Sequence, residues 1–529
     1  MPRLQATDIE ALRANSAPLP LGVAPVTSSD NFKSHHAQCH PLASPWDSHF
    51  SVESQHFEGS ELKKTSSPVG KRRIIALGTG RPTAEYYPWE SLSFKVPDVL
   101  TETSNGTGNK SSTTKCTIPK YNDTYNLSIA LNYGRSAGSP HLLRFLTEHI
   151  ELVHNPPYRD WGVFLSCGAT AAFEVALRIF CNRGDTLLTE RYTYPGSLEG
   201  AVLNGLQVHG VDMDADGLIP EALEEALISW APSRGPKPRV LYTVPTGQNP
   251  TGFSQPTERR KAIYKIAEKH DLIIIEDDPY YFLRLGDYTR GAHSKMSAEI
   301  FHSKTAPSYL SLDTSGRVVR LDSASKILSP GLRAGWVTAS SQIIDKFLAY
   351  QDVTTVAING PSQLMLWSLL DCTWGHNGFT KWLIHLSAGY QRRRDIMLRA
   401  CDRYLPHEIA QWVPPRYGMF LWISVDWKEH PIFQKNFSTT SPSVGWNQED
   451  HGRQIQTLEA HILAQCLEVG VLVAKGSLFS ANRNGGALGQ LNFRMTFAAA
   501  EEEDLEEGVR LFGEVLKSEF GLVDSSASR

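Results

Sequence analysis

No run of about 18 consecutive apolar residues occurs in this 529-residue chain, so no segment reads as a membrane-crossing helix. The opening stretch, MPRLQATDIEALRANSAPLP, lacks the apolar core of a secretory signal. Cysteine is scarce. Seven are scattered along the chain, odd in number, and none forms a C-x-x-C pair. That argues against a disulfide framework and against a zinc site, so no metal is expected and a reduced, cytoplasmic setting is. Charge of one sign is lacking too. Fifty-two basic against 56 acidic residues leave a formal charge of −4, so nothing pulls the chain toward nucleic acid or a membrane surface. No internal repeat appears. Four glycosylation-type sequons, at Asn105, Asn109, Asn122 and Asn126, read as polar loop sequence because no signal precedes them.

What is present is ordinary globular composition, 41% hydrophobic and 20% charged. Residues 1–70, rich in Ser, Pro and His, read as a largely irregular N-terminal arm. Residues 71–369 read as a large domain, with 71–130 leading in and a polar loop at 101–127. Within it, short apolar strands alternate with amphipathic helices: WGVFLS then AAFEVALRIF, DTLLTE then SLEGAVLNGL, RVLYTV then ERRKAIYKIAEKH, then DLIIIEDD and RVVRLDSAS. Phe173, Leu177 and Phe180 fall at i, i+4 and i+7, one buried stripe. This alternation predicts an α/β fold, a mostly parallel sheet covered by helices. Residues 370–529 read as a smaller C-terminal α/β domain, with GMFLWISV, GVLVAKGSLFS and LNFRMTFA as strands, an insertion at 428–453 and a closing helix.

In such sheets ligands bind outside the carboxyl ends of the strands, and there the unusual residues collect. After WGVFLS come Gly168, Ala169 and Thr170, an anion-binding turn or a plain N-cap. After DTLLTE comes Tyr194, able to stack on a flat ligand or to pack in a loop. Asn249 follows RVLYTV in a Pro- and Gly-rich turn. Asp277 ends an apolar strand, where a carboxylate needs a partner, and Tyr280 lies three residues on. Strand alternation sends Asp278 to the other side. Lys326 stands among Ser323, Ser325 and the Pro330-Gly331 turn, with Arg333 seven positions on. Burial and a second cation lower a lysine's pKa, leaving a neutral amine that attacks carbonyls. Hydroxyls and Arg333 suit a phosphate, the amine suits an aldehyde, and the aspartate suits a pyridine nitrogen. Together they point to pyridoxal 5′-phosphate.

LNYGRSAGSP, SCGATAAFE, RYTYPGSLE, VPTGQNPTG, IIEDDPYY, SASKILSPGLRAGW, GMFLW and LNFRMTFA follow one another in that order within residues 72–515. In this combination the chain resembles the fold-type I pyridoxal-phosphate aminotransferases, in the aromatic amino acid and kynurenine/2-aminoadipate branch. WDSHFSVES and LGTGRPTAEYYPWESL resemble the fungal members. The resemblance implies a large domain on a seven-stranded sheet and a homodimer with shared sites. Lys326 would carry the cofactor as a Schiff base, Asp277 would pair with the ring nitrogen, and Tyr194 would stack on the ring. Asn249 and Tyr280 would contact the ring hydroxyl. Ala169, Thr170, Ser323, Ser325 and Arg333 would hold the phosphate, with Tyr133 reaching the phosphate of the neighbouring subunit. Arg494, with Asn249, would bind the substrate carboxylate, where a guanidinium fork fits. The implied reaction moves an amino group from an aromatic or other large L-amino acid to a 2-oxo acid such as 2-oxoglutarate, by a ping-pong cycle, in central or specialised metabolism.

Two departures stand out. Ala169 occupies a place often polar in relatives, so phosphate contact there would be through the backbone. Lys475 stands where relatives usually have proline, in a loop expected to border the substrate pocket. Other chemistry on the same cofactor, a β-elimination or decarboxylation, is the rival reading. A DNA-binding regulator with an aminotransferase-like domain would need a basic winged helix, but residues 1–70 hold no such pattern and KRR at 71–73 is the one basic cluster nearby.

Overall fold

The computed structural model describes residues 4–65, 77, 78, 80–98, 113–289, 305–434, 448–482 and 490–522. Residues 101–112 of the polar loop, much of the insertion at 428–453, the KRR cluster, Asn105 and Asn109 lie outside the described residues.

An antiparallel hairpin of β1 (Ser91–Pro97) and β2 (Thr113–Pro119) leads in. The large sheet holds β3 (Trp161–Ser166), β4 (Thr186–Glu190), β5 (Gln207–Val211), β8 (Val240–Thr243), β9 (Ile273–Asp277), β10 (Val318–Ser323) and β11 (Gly335–Ser340). A two-residue pair, β6 (Met213–Asp214) and β7 (Gly217–Leu218), follows β5. The seven strands run in the order β3-β11-β10-β9-β8-β4-β5. Only β11 is antiparallel to its neighbours. Ile273, Ile274 and Ile275 are all fully buried, as expected of a strand covered on both faces. The helix Ala169–Phe180 buries Phe173, Leu177 and Phe180 as its periodicity predicts.

The smaller sheet has the order β12 (Ala410–Trp412), β13 (Phe420–Val425), β15 (Leu491–Thr496), β14 (Ala474–Lys475). Helices Gly375–Tyr404, Gln448–Glu468 and Asp504–Glu519 pack with it, with Phe493 and Phe512 edge to face at 5.4 Å. The boundary drawn at 369–370 falls inside an uninterrupted helical run, 360–404, that passes from one part to the other.

Two readings need adjusting. GVLVAKGSLFS is not a full strand: only Ala474–Lys475 pair, and a 3-10 turn, Gly476–Phe479, follows. A Cβ on Gly476 would sit 2.7 Å from Asn492 and 3.0 Å from Trp422, so the backbone leaves the sheet where only glycine fits. The arm, in turn, is more ordered than its composition suggests. It carries a nine-residue helix, Ala6–Ala14, and is anchored by the buried rings of Trp46 and Phe50 as well as by polar contacts. Arg13 reaches Glu148 and Asp371, and the Ser29 backbone neighbourhood is fixed by Val163 N–H donating to Ser29 Oγ at 2.7 Å. Isolated aromatics and polar contacts leave no hydrophobic period to read. Asn126, one of the sequons, is buried and caps a short helix by accepting from Ile129 N–H at 3.1 Å.

Candidate active site

The parallel strands end on one edge, and β11 begins there because it runs the other way: Gly335 pairs with both Ser166 and Ser323. The turn at Pro330-Gly331 therefore returns Arg333 to the edge where Gly168, Asp277 and Lys326 stand. Arg333 adopts φ 46°, a left-handed backbone uncommon for any residue other than glycine, at the site edge. Its guanidinium donates to Pro330 O at 3.0 Å and to Cys167 O at 3.4 Å. Gly168, φ +95°, opens the helix Ala169–Phe180, and a Cβ there would lie 2.8 Å from the Arg333 guanidinium. Glycine thus lets the cation lie over the first turn of the helix, where backbone N–H groups face outward. Thr170 is exposed on that turn, and Ser323 Oγ accepts from Ser325 N–H at 3.1 Å.

Lys326 is half-buried and has no hydrogen bond or ion pair among the described residues. Burial lowers its pKa, Arg333 and Arg494 lower it further, and Asp277 opposes them. Asp277 accepts from the Tyr242 hydroxyl at 2.7 Å through Oδ2, while its Oδ1 is buried and unpartnered. Burial lifts this carboxyl to about 6, the Tyr242 bond acting against the shift. Asp278 is differently employed. It is fully enclosed, takes hydrogen bonds from Thr246 at 3.0 Å and Arg320 at 3.3 Å, and belongs to a buried ionic cluster with Glu276 and Asp322. The alternation of the strand separates the two acids as expected.

On the facing side, Arg494 donates to Asn249 Oδ1 at 2.9 Å. Its guanidinium lies between the Phe420 and Phe479 rings, 4.7 and 4.8 Å from their centroids. Its Nε is buried without a partner, and desolvation lowers its pKa. Asn249 also lies near the Tyr280 hydroxyl, and the Tyr280 ring meets Phe420 edge-on at 5.5 Å. The turn bearing Asn249 touches the smaller sheet directly: a Cβ on Gly247 would fall 2.7 Å from Gly418 Cα.

The fold thus brings Gly168, Ala169, Thr170, Asn249, Asp277, Tyr280, Ser323, Ser325, Lys326, Arg333 and Arg494 to one edge. Tyr194 starts the helix Pro195–Leu203 at the end of the β4 loop and leaves its ring 39% exposed toward solvent. Tyr133 is not brought in. It stands 63% exposed and shares no hydrogen bond or ring contact with the others among the described residues. Tyr86 and Trp89 are likewise exposed, at 78% and 58%. Lys475 is displaced from its expected role. It pairs with buried Phe493, and cross-strand partners share a face, so its side chain lies opposite to Arg494 and acts on Glu459. Ala474, paired with Arg494, is the residue on the site's face.

Three residues escaped the sequence reading: Phe420 and Phe479, which flank Arg494, and Tyr242. Only Tyr242 left a signal, a hydroxyl inside an apolar strand, which must find a partner when buried.

The buried, unpartnered Asp277 Oδ1, the cradle a Cβ would fill at Gly168 and the free Lys326 amine fit the ring nitrogen, phosphate and aldehyde of pyridoxal phosphate. Residues 100–512 match the family described as aminotransferase class I and II. The chain is 46% identical over 489 residues to the aminotransferase swnA of Metarhizium robertsii, covering 91% of this chain and 93% of that one. It is 37% identical to an aromatic amino acid aminotransferase of Schizosaccharomyces pombe, over 89% of this chain and 98% of that one. The crystal structure of the aminotransferase Aro8 from Candida albicans superposes with a TM-score of 0.81 at 36% identity, covering 91% of this chain and 100% of that one. A half-buried lysine beside Arg333 and the first turn of a helix, a buried acid and a facing arginine, on a sheet and sequence shared with these enzymes, make this chain a member of the class I and II aminotransferases, with pyridoxal 5′-phosphate as its cofactor.

Proposed function

We propose that the amino donor is an aromatic or similarly large L-amino acid and the acceptor a 2-oxo acid such as 2-oxoglutarate. The observation that carries this is the setting of Arg494: a carboxylate-binding guanidinium held between Phe420 and Phe479, with Tyr280 and exposed Tyr194 nearby. A flat side chain entering beside those rings gains stacking beyond simple burial. The similarity to an enzyme named as an aromatic amino acid aminotransferase supports the same class.

When bound, the cofactor supplies an aldehyde for amines and an electron sink for the Cα–H bond. The chain's residues do the rest. Lys326 Nζ, its pKa lowered by burial and further by Arg333 and Arg494, would take the Cα proton and return it two atoms along, at the carbon that the aldehyde supplies. Asp277 Oδ1 holds a proton on the ring nitrogen. Asn249 and Tyr280 bind the ring hydroxyl, and Asn249 ties that contact to Arg494, so the substrate's carboxylate and the ring are oriented together. Tyr194 covers the ring. The first turn at Ala169 and Thr170, with Ser323, Ser325 and Arg333, holds the phosphate, Ala169 through its N–H alone. Tyr133, exposed in the single chain, serves the site of a second copy in a homodimer. A cytoplasmic setting completes the reading, in keeping with seven unpaired cysteines.

A panel of amino donors with 2-oxoglutarate, read as the 2-oxo acid formed, tests the substrate class. Phenylalanine, tyrosine, tryptophan or kynurenine should outperform alanine and aspartate. Inert aromatic donors beside an active small or basic donor would sink the proposal.

A further inference from the structure

One oxygen of the Asp277 carboxylate is occupied by the protein and the other is not. Tyr242 O–H donates to Oδ2 at 2.7 Å, and Ser197 Oγ–H donates to the Tyr242 hydroxyl at 2.9 Å. Oδ1 is buried and bare. Tyr242, on β8, is 1% exposed, and its ring packs on Phe173 with centroids 4.6 Å apart. Ser197 is buried in the first turn of the helix that Tyr194 caps. The chain of donors therefore starts on the helix next to the ring-stacking tyrosine and ends on the acid beneath the ring.

We propose that Tyr242 and Ser197 are positioning residues for transamination: they hold the Asp277 carboxylate with Oδ1 toward the cofactor's ring nitrogen and keep the shared proton on that nitrogen. The proposal rests on the assignment of Asp277 to the ring nitrogen. A carboxylate with one oxygen anchored cannot turn about its terminal bond without breaking a charge-assisted hydrogen bond. The same bond stabilises the anion, so the proton between acid and pyridine stays on the pyridine. Ser197 strengthens it, because a hydroxyl that accepts one hydrogen bond donates a better one. Other groups also face Asp277. Asp322 and Arg320 act from β10, Lys326 from the following loop, Glu190 from β4 and Tyr280 from its own segment. Tyr242 alone hydrogen-bonds the carboxylate among the described residues. Buried Asp277 is lifted to about 6, which makes its anionic state dependent on such a donor.

The test uses the holoenzyme and its Tyr242→Phe, Ser197→Ala and Asp277→Asn variants. Two quantities are read: the pH midpoint of the bound cofactor's visible absorbance, and the dissociation constant of pyridoxal phosphate by dialysis. Without the Tyr242 hydroxyl the ring loses positive charge, and the Lys326 nitrogen joined to it keeps its proton to higher pH. Tyr242→Phe should therefore move the midpoint to higher pH and weaken retention about tenfold, the loss expected of one hydrogen bond to a charged group. Ser197→Ala should move both the same way by about twofold to threefold, and it decides the matter if Tyr242→Phe does not fold. A tyrosine that only fills space would lower thermal stability and leave the midpoint in place. Unchanged midpoint and retention in Tyr242→Phe, with both altered in Asp277→Asn, would overturn the proposal and spare the Asp277 assignment. No change in Asp277→Asn would remove the assignment itself and the proposal with it.

Discussion

Arg494 concentrates several forces on one side chain. Two aromatic faces fix the plane of its guanidinium, and Asn249 takes one of its N–H groups. Its buried Nε is left without a protein partner, which costs free energy unless a ligand supplies an acceptor. A substrate carboxylate, common to every amino-acid donor, is such an acceptor. Arg494→Lys keeps the charge and loses the planar fork. The kcat/KM should then fall for all donors alike, by about 1.5–3 kcal/mol in transition-state stabilisation. Steady-state kinetics with one aromatic and one aliphatic donor checks it; a loss confined to one donor would place Arg494 on the side chain instead. Lys326 and Asp277 were legible from sequence because a cation and an acid at strand ends are conspicuous, whereas Arg494, inside β15, was singled out by the family resemblance. Phe420 and Phe479 were not, since an aromatic in an apolar stretch looks the same whether it lines a site or a core.

At the scale of the element, a two-residue strand decides which neighbour matters. β14 pairs Ala474 with Arg494 and Lys475 with Phe493, and side chains of adjacent residues point to opposite faces. Lys475, the conspicuous departure in sequence, therefore faces Glu459 and the helix Gln448–Glu468, while unremarkable Ala474 faces Arg494 and packs against Tyr192, Trp422 and Phe479. Lys475→Ala should leave relative kcat/KM among donors unchanged. Ala474→Leu adds volume on the site's face and should lower kcat/KM by the equivalent of about 1–3 kcal/mol, the cost of overpacking. Equal effects from the two variants would show that the register carries no functional weight. The short element was misread as a longer strand because alternation in GVLVAKGSLFS continues past Gly476, while the crowding that ends the strand comes from Asn492 and Trp422, distant in sequence.

For the whole molecule, the large and small parts are stitched together around the site. Thr193 N–H donates to Phe479 O at 2.8 Å and Ala481 N–H to Arg191 O at 2.9 Å, while Gly418 N–H donates to Leu283 O at 2.9 Å. These bonds set Arg494 against Asn249. Tyr133 stays outside this assembly, exposed, and that favours the shared-site dimer of the proposal. Tyr133→Ala and Lys326→Ala variants should each be impaired. Mixed and reassembled one to one, they should recover about a quarter of wild-type activity, because half the dimers are hybrids and each hybrid holds one intact site. No recovery, with subunit exchange verified by mass, would mean that Tyr133 works within its own chain or not at all.

The sequence by itself determined the alternation of strands and helices, the parallel sheet, and the polar residues at strand ends, because these depend on local periodicity and on the few residues that tolerate a turn. It thereby singled out Lys326 and Asp277, the amine and the acid that the proposed function sets at the cofactor. Tertiary structure alone decided the rest. The reversed direction of β11 returns Arg333 to the site edge, the register of β14 chooses Ala474 over Lys475, and the packing of β8 against β9 puts Tyr242 on Asp277. Each of these is a contact between segments far apart in the chain, fixed by strand pairing and close packing, and no local pattern of residues encodes which partner a strand will find.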